Sequence, residues 1–94
     1  MKFHLEKATD GKHKFIGVFQ KDDHETRVPF GAKGYEDMTM HKNELRRQAY
    51  IQRHKSRENW SIPTTAGSLS RYILWETANL NKNIHLFKER FNLE

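Results

Sequence analysis

"KFHLEKATDGKHKFIGVFQ", Lys2 to Gln20, is the stretch on which the fold turns. Phe3 and Leu5 alternate with polar neighbours, and Phe15 and Phe19 share a face with Gly17 between them. A two-residue period of this kind belongs to a strand with one apolar face. Between the two runs stands Asp10-Gly11, a signal for a two-residue type I′ turn, which needs positive φ at both centres. The reading is a hairpin of two strands, Lys2–Ala8 and His13–Gln20, with Ile16 and Val18 on the opposite face. Next along the chain, "ETRVPF" (Glu25–Phe30) sets Thr26, Val28 and Phe30 on one side and reads as a third strand. Pro29 has no N–H to give to a ladder, so this strand lies at an edge or ends there.

Past the turn-rich connector "GAKGYEDMT" (Gly31–Thr39) the period changes to that of helices. Thr39 reads as the N-cap of a helix from Met40 to about Ser56, with Asp37 as the cap of an earlier start. Thr65 caps a second helix, Ala66 to about Glu76, whose inner face is Leu69, Tyr72 and Ile73. Asn79 or Asn81 starts a third, where Leu80, Ile84, Phe87 and Phe91 recur at helical spacing. The predicted core of the helical part is Leu69, Ile73, Ile84, Phe87 and Phe91. The fold class is therefore α+β: an N-terminal antiparallel sheet of two to three strands packed on a three-helix C-terminal part. Residues 1–94 form one domain, with the sheet in 1–34 and the helices in 35–94.

Charge is unevenly spread over this frame. The formal net charge is +5, and charged residues make up 31% of the chain. Residues 42–57 hold six Lys and Arg against one acid, whereas residues 61–94 hold four against three. In a Met40–Ser56 helix, Lys42, Arg46, Arg53 and Arg57 fall within about 60° of one another, facing away from Met40 and Ile51. Ala49 gives the row a smooth middle. Arg47, Lys55 and Arg71 flank it. Such a row can follow a phosphate backbone, with strong salt dependence and little sequence information. It can equally be a solvated face that pairs with nearby acids, such as Glu36, Glu44 and Glu58. Trp60 and Trp75 could stack on bases, although a tryptophan beside a helix in so small a domain reads first as core.

Catalytic signals are weak by comparison. The chain has no cysteine, which excludes disulfides and thiolate metal sites. Asp37 and His41 are four apart and share a helical face, but two ligands do not make a metal site. His41 and His54 differ by about 140° around one helix and cannot meet at one ion. "FGAKGY" lacks the length and the terminal Lys-Ser/Thr pair of a phosphate loop. No nucleophile elbow is present. "TAGSLSRYILWETANLNKNIHLFKERF" has the scale of a helix-turn-helix without the glycine expected in its turn. The N-terminus carries no apolar leader, and no run is long enough to span a bilayer, which points to an intracellular chain that is not secreted.

Four stretches carry a resemblance: "FGAKGYEDMT" (Phe30–Thr39), "RRQAYIQRHKSREN" (Arg46–Asn59), "TAGSLSRYILW" (Thr65–Trp75) and "KERFNL" (Lys88–Leu93). Together they make Val28–Leu93 resemble a family of short basic proteins encoded by large DNA viruses of algae and protists. The resemblance implies a viral origin, in the virion or the infected host cell, and brings no catalytic residues with it. The functional expectation is low-specificity, non-enzymatic nucleic-acid binding, DNA ahead of RNA, through Lys42, Arg46, Arg47, Arg53, Lys55, Arg57 and Arg71. No cofactor, metal or membrane is expected. The alternative is a minor capsid or virion assembly protein that binds an acidic surface of a viral structural protein. A third reading is a metal-dependent nuclease using His41.

Overall fold

The alternation in the first twenty residues builds what it promises. In a computed structural model that describes all 94 residues, Met1–Glu94, strands β1 (Lys2–Lys7), β2 (His13–Lys21) and β3 (His24–Ala32) form one antiparallel sheet in the order β1-β2-β3. Phe3 lies opposite Phe19, and Phe15 opposite Phe30, so the aromatic positions fall on one face. Proline is tolerated at position 29 because β3 is an edge strand.

Both turns differ from expectation. The β1–β2 connection is a five-residue loop in which Gly11 alone takes positive φ (74°). Asp10 organises it instead, its Oδ1 accepting from the backbone N–H groups of Lys12 (2.8 Å) and His13 (2.9 Å). A side chain that satisfies two amides removes the need for a type I′ turn. The β2–β3 connection is tighter than the sequence suggests. Lys21 pairs with His24 around Asp22-Asp23, and Asp22 enters the left-handed region (φ 54°), which aspartate tolerates better than most residues.

The expected Met40–Ser56 helix is two helices. Asp37 caps α1 (Met38–His41), accepting from the Thr39 N–H at 2.9 Å. Lys42 then turns left-handed (φ 55°) and ends it. Asn43 caps α2 (Glu44–His54), its Oδ1 accepting from the Arg46 N–H at 3.2 Å. An Asn-Glu pair is itself a helix start, and here it overrides continuity with α1. Helix α3 (Ala66–Leu69) is capped by Thr65 and widens into a π turn, Ser70–Leu74. Helix α4 (Leu80–Arg90) is capped by Asn79 rather than Asn81.

The sheet's aromatic face meets α3, the π turn and α4. Phe3 sits between Phe19 and Phe87, with ring centroids 5.0 and 4.9 Å away. Leu69, Ile73 and Phe87 are fully buried, as predicted, while Ile84 and Phe91 are half-buried against the same cluster. Each fully buried side chain of this size contributes about 1.5–3 kcal/mol. Gly17 lets α3 descend onto the sheet, because a Cβ there would lie 2.8 Å from Leu69 Cδ1. Leu93 is buried, and Glu94 returns to the outer side of β1, donating to Met1 O (2.9 Å) and accepting from Phe3 N (2.8 Å).

Candidate nucleic-acid interface

Helix α2 buries none of its residues completely. One side of it closes over the sheet–helix core, and the other forms a wall of a cleft of about 550 Å³. Arg46, Ala49 and Arg53, spaced i, i+3 and i+7, line that wall. Tyr35, from the β3–α1 connector, also lines the cleft, with 73% of its surface exposed. The interior holds stacked rings. Trp75 lies parallel to Tyr50 at 4.2 Å and 2°, and Tyr50 stacks on His54 at 4.3 Å and 29°. His41 packs on Trp75 at 5.2 Å. Burial pushes the Tyr50 phenol up to about 12, with the negative charge of Glu58 adding and Arg71 and Arg53 opposing. Tyr50 is thus a neutral hydroxyl donor at physiological pH.

A buried ion pair also lines the cleft. Lys14 Nζ donates to Asp37 Oδ2 at 2.6 Å, and both side chains are largely inaccessible. Asp37 is therefore the N-cap of α1 and the partner of Lys14. The His41 Nδ1 accepts from the Asn43 N–H at 2.9 Å. Both members of the suggested metal-ligand pair are engaged in local structure, and no three His, Asp or Glu side chains converge as a metal-holding group.

The cations divide into two classes. Lys42, Arg53, Lys55 and Arg57 are exposed and form no ion pair within the chain. Arg46 meets Glu36 at 3.6 Å, but both are about half exposed, and such pairs contribute little. The row does not run along one helix, however. Lys42 sits in the break before α2, Lys55 at its C-terminal cap and Arg57 in the turn beyond, leaving Arg46 and Arg53 as the cations that α2 itself carries on this face.

Arg47 and Arg71, which the sequence also places among the candidate nucleic-acid contacts, belong to the second class and are engaged within the chain. Arg47 Nε donates to Trp75 O (2.8 Å) and Glu76 O (2.9 Å), and its Nη atoms reach Glu44 (3.1 Å) and Glu76 (3.3 Å). It closes the C-terminal end of the π turn, where free carbonyls need donors. Arg71 donates to the other oxygen of Glu76 at 3.0 Å and lies over the rings of Tyr72 and Trp60. The signal for Arg47 is present in the sequence: it falls about 100° round from Arg46, inside the arc of Tyr50, Ile51 and His54. Trp75 is core, and Trp60 is half-buried beneath Arg71. Tyr35 and the Lys14–Asp37 wall carry no local signal, since they reach the cleft from separate elements.

This division has a direct test. Arg47→Ala should lower stability by about 2–3 kcal/mol, since it leaves two backbone carbonyls without a charged donor. Arg53→Ala should stay within about 0.5 kcal/mol. Urea unfolding followed by circular dichroism distinguishes them, and equal midpoints would refute the division.

Comparison with known proteins adds one match. A model of a family described as "Family of unknown function (DUF5754)" matches residues 3–54, which takes in the sheet, α1 and α2. No curated protein and no solved structure matches the chain. No helix is long and apolar enough to cross a membrane.

Proposed function

The chain belongs to the DUF5754 family of unknown function, and we propose that it is a non-enzymatic nucleic-acid-binding protein of low sequence specificity. The observation that carries this reading is the set of exposed cations around α2: Arg46 and Arg53 on the cleft wall, with Lys42 before the helix and Lys55 and Arg57 at and beyond its end. They have no strong internal partner, and a net charge of +5 adds a long-range field of the same sign. Contacts of this type hold phosphates without reading bases. The resemblance to short basic proteins of large DNA viruses supports a place in the virion or the infected host cell, with DNA as the partner ahead of RNA.

The test is a titration against DNA, RNA and heparin at several salt concentrations. Four or five phosphate contacts should give a log–log salt slope of about −4 on duplex DNA. Arg46→Glu with Arg53→Glu should weaken binding about 100-fold or more at low salt and flatten the slope by about 2, with the fold intact. Unchanged affinity in that double variant rejects the reading.

A second reading has one observation in its favour. Met40 and Leu45 are large apolar side chains left 57% and 76% exposed near the α1–α2 break. They suit a protein partner in virion assembly. A pull-down with and without nuclease separates the two, since partners retained after nuclease treatment favour assembly.

A further inference from the structure

We infer that the cleft beside α2 receives an unpaired nucleobase, so that the protein holds single-stranded DNA in preference to duplex; this rests on the nucleic-acid reading above. A solvated basic face needs no cavity, yet Arg46 and Arg53 open onto one of about 550 Å³, within the roughly 300–1,000 Å³ range of small-ligand pockets. The two arginines are seven residues apart on one helix, about 10.5 Å along the axis, which leaves space between them for a planar group. Their lining partners are what such a group needs. Tyr35 offers an exposed ring, at 73% exposure. Buried Leu74 and the Tyr50 ring, itself stacked on Trp75 and His54, close the cleft behind it, so the platform for a base is Tyr35.

Duplex DNA cannot use these features, because its base faces are stacked on one another. A single strand can turn one base inward while its backbone stays with Arg46, Arg53 and the flanking cations. Every base has a π face, so a tyrosine platform adds affinity without adding sequence preference. A free nucleotide is the weaker fit: the neighbouring glycine-bearing segment has no phosphate loop, and Arg46 and Arg53 stand about 10.5 Å apart along α2 rather than converging on one point.

The experiment uses the full chain and four fluorescent probes at one salt concentration: a thymidine oligonucleotide, an abasic strand of equal length, a duplex of equal length, and thymidine monophosphate. The oligonucleotide should bind about tenfold or more tighter than the abasic strand and the duplex. Tyr35→Ala should erase that difference, leaving duplex affinity and salt slope unchanged, and Tyr35→Phe should restore it. Position 35 is exposed, so the substitution leaves the core untouched. Equal binding of all three polymers, or no effect of Tyr35→Ala, overturns the inference while the nucleic-acid reading stands. Thymidine monophosphate binding as tightly as the strand overturns it in favour of a small-molecule site. Loss of all polymer binding in the wild-type chain, or none gained by lowering salt, overturns both.

Discussion

Asn83→Ala is expected to remove about 3–5 kcal/mol of stability, a large share of the roughly 5–14 kcal/mol that a domain of this length holds. Asn83 is wholly buried in α4 and uses its complete hydrogen-bonding capacity. Its amide nitrogen donates to Ile73 O (2.8 Å) and Thr77 O (3.0 Å). Its carbonyl oxygen accepts from Thr77 N (3.0 Å) and Thr77 Oγ1 (2.5 Å). These are the backbone groups that the π turn and the following bend leave without partners. Truncation leaves three of them without their partner, Ile73 O in the interior and the Thr77 N–H and C=O half-buried, and opens a small void. The midpoint of thermal unfolding should fall by about 15–30 °C. In urea the midpoint should move while the slope stays constant. A loss below about 1 kcal/mol would mean that water or a rearranged bend replaces the asparagine, and the account of the π turn would fail.

The second large effect is expected from Lys14→Met, at about 3–5 kcal/mol. Asp37 is 2% exposed, and its Oδ2 depends on the Lys14 ammonium. Thr39 satisfies the other oxygen through its N–H and hydroxyl. Removing the cation leaves a buried carboxylate with one oxygen unpaired, which costs far more than the intact pair contributes. The double variant Lys14→Met with Asp37→Asn should regain a large part of the loss, because no uncompensated charge remains. Double-mutant analysis of urea midpoints measures the coupling, and strict additivity would show that the two groups stabilise the fold independently. Since the pair also forms a cleft wall, the single variant should weaken oligonucleotide binding more than duplex binding at temperatures where it stays folded.

Local features were readable from the chain alone. The Phe3, Phe15 and Phe19 alternation gave the sheet face, and the Leu80, Ile84, Phe87 and Phe91 spacing gave the last helix. Thr65 and Asn79 were legible as caps because a cap is a local hydrogen bond. The break at Lys42 was not, since Asp37, Thr39 and Asn43 are all competent caps and only tertiary packing chooses among them. The basic row was half legible. Exposure of Arg46 and Arg53 follows from helical phase, whereas the fate of Arg71 depends on Glu76 and on rings brought beside it by the fold. The cleft was invisible for the same reason: Lys14, Tyr35 and Trp75 are far apart in sequence and meet only when sheet and helices pack.

A three-stranded sheet has two rims, and each presents unpaired backbone groups that invite another copy to add on. Here the start of one rim, at Met1 and Phe3, is paired with the chain's own Glu94, and the other rim contains Pro29, which offers no donor at that position. A protein concentrated side by side along a polymer meets its own copies at high local density. Blunted rims of this kind oppose runaway self-association under crowding, and on the proposed nucleic-acid reading they would leave neighbouring molecules to be spaced by the polymer.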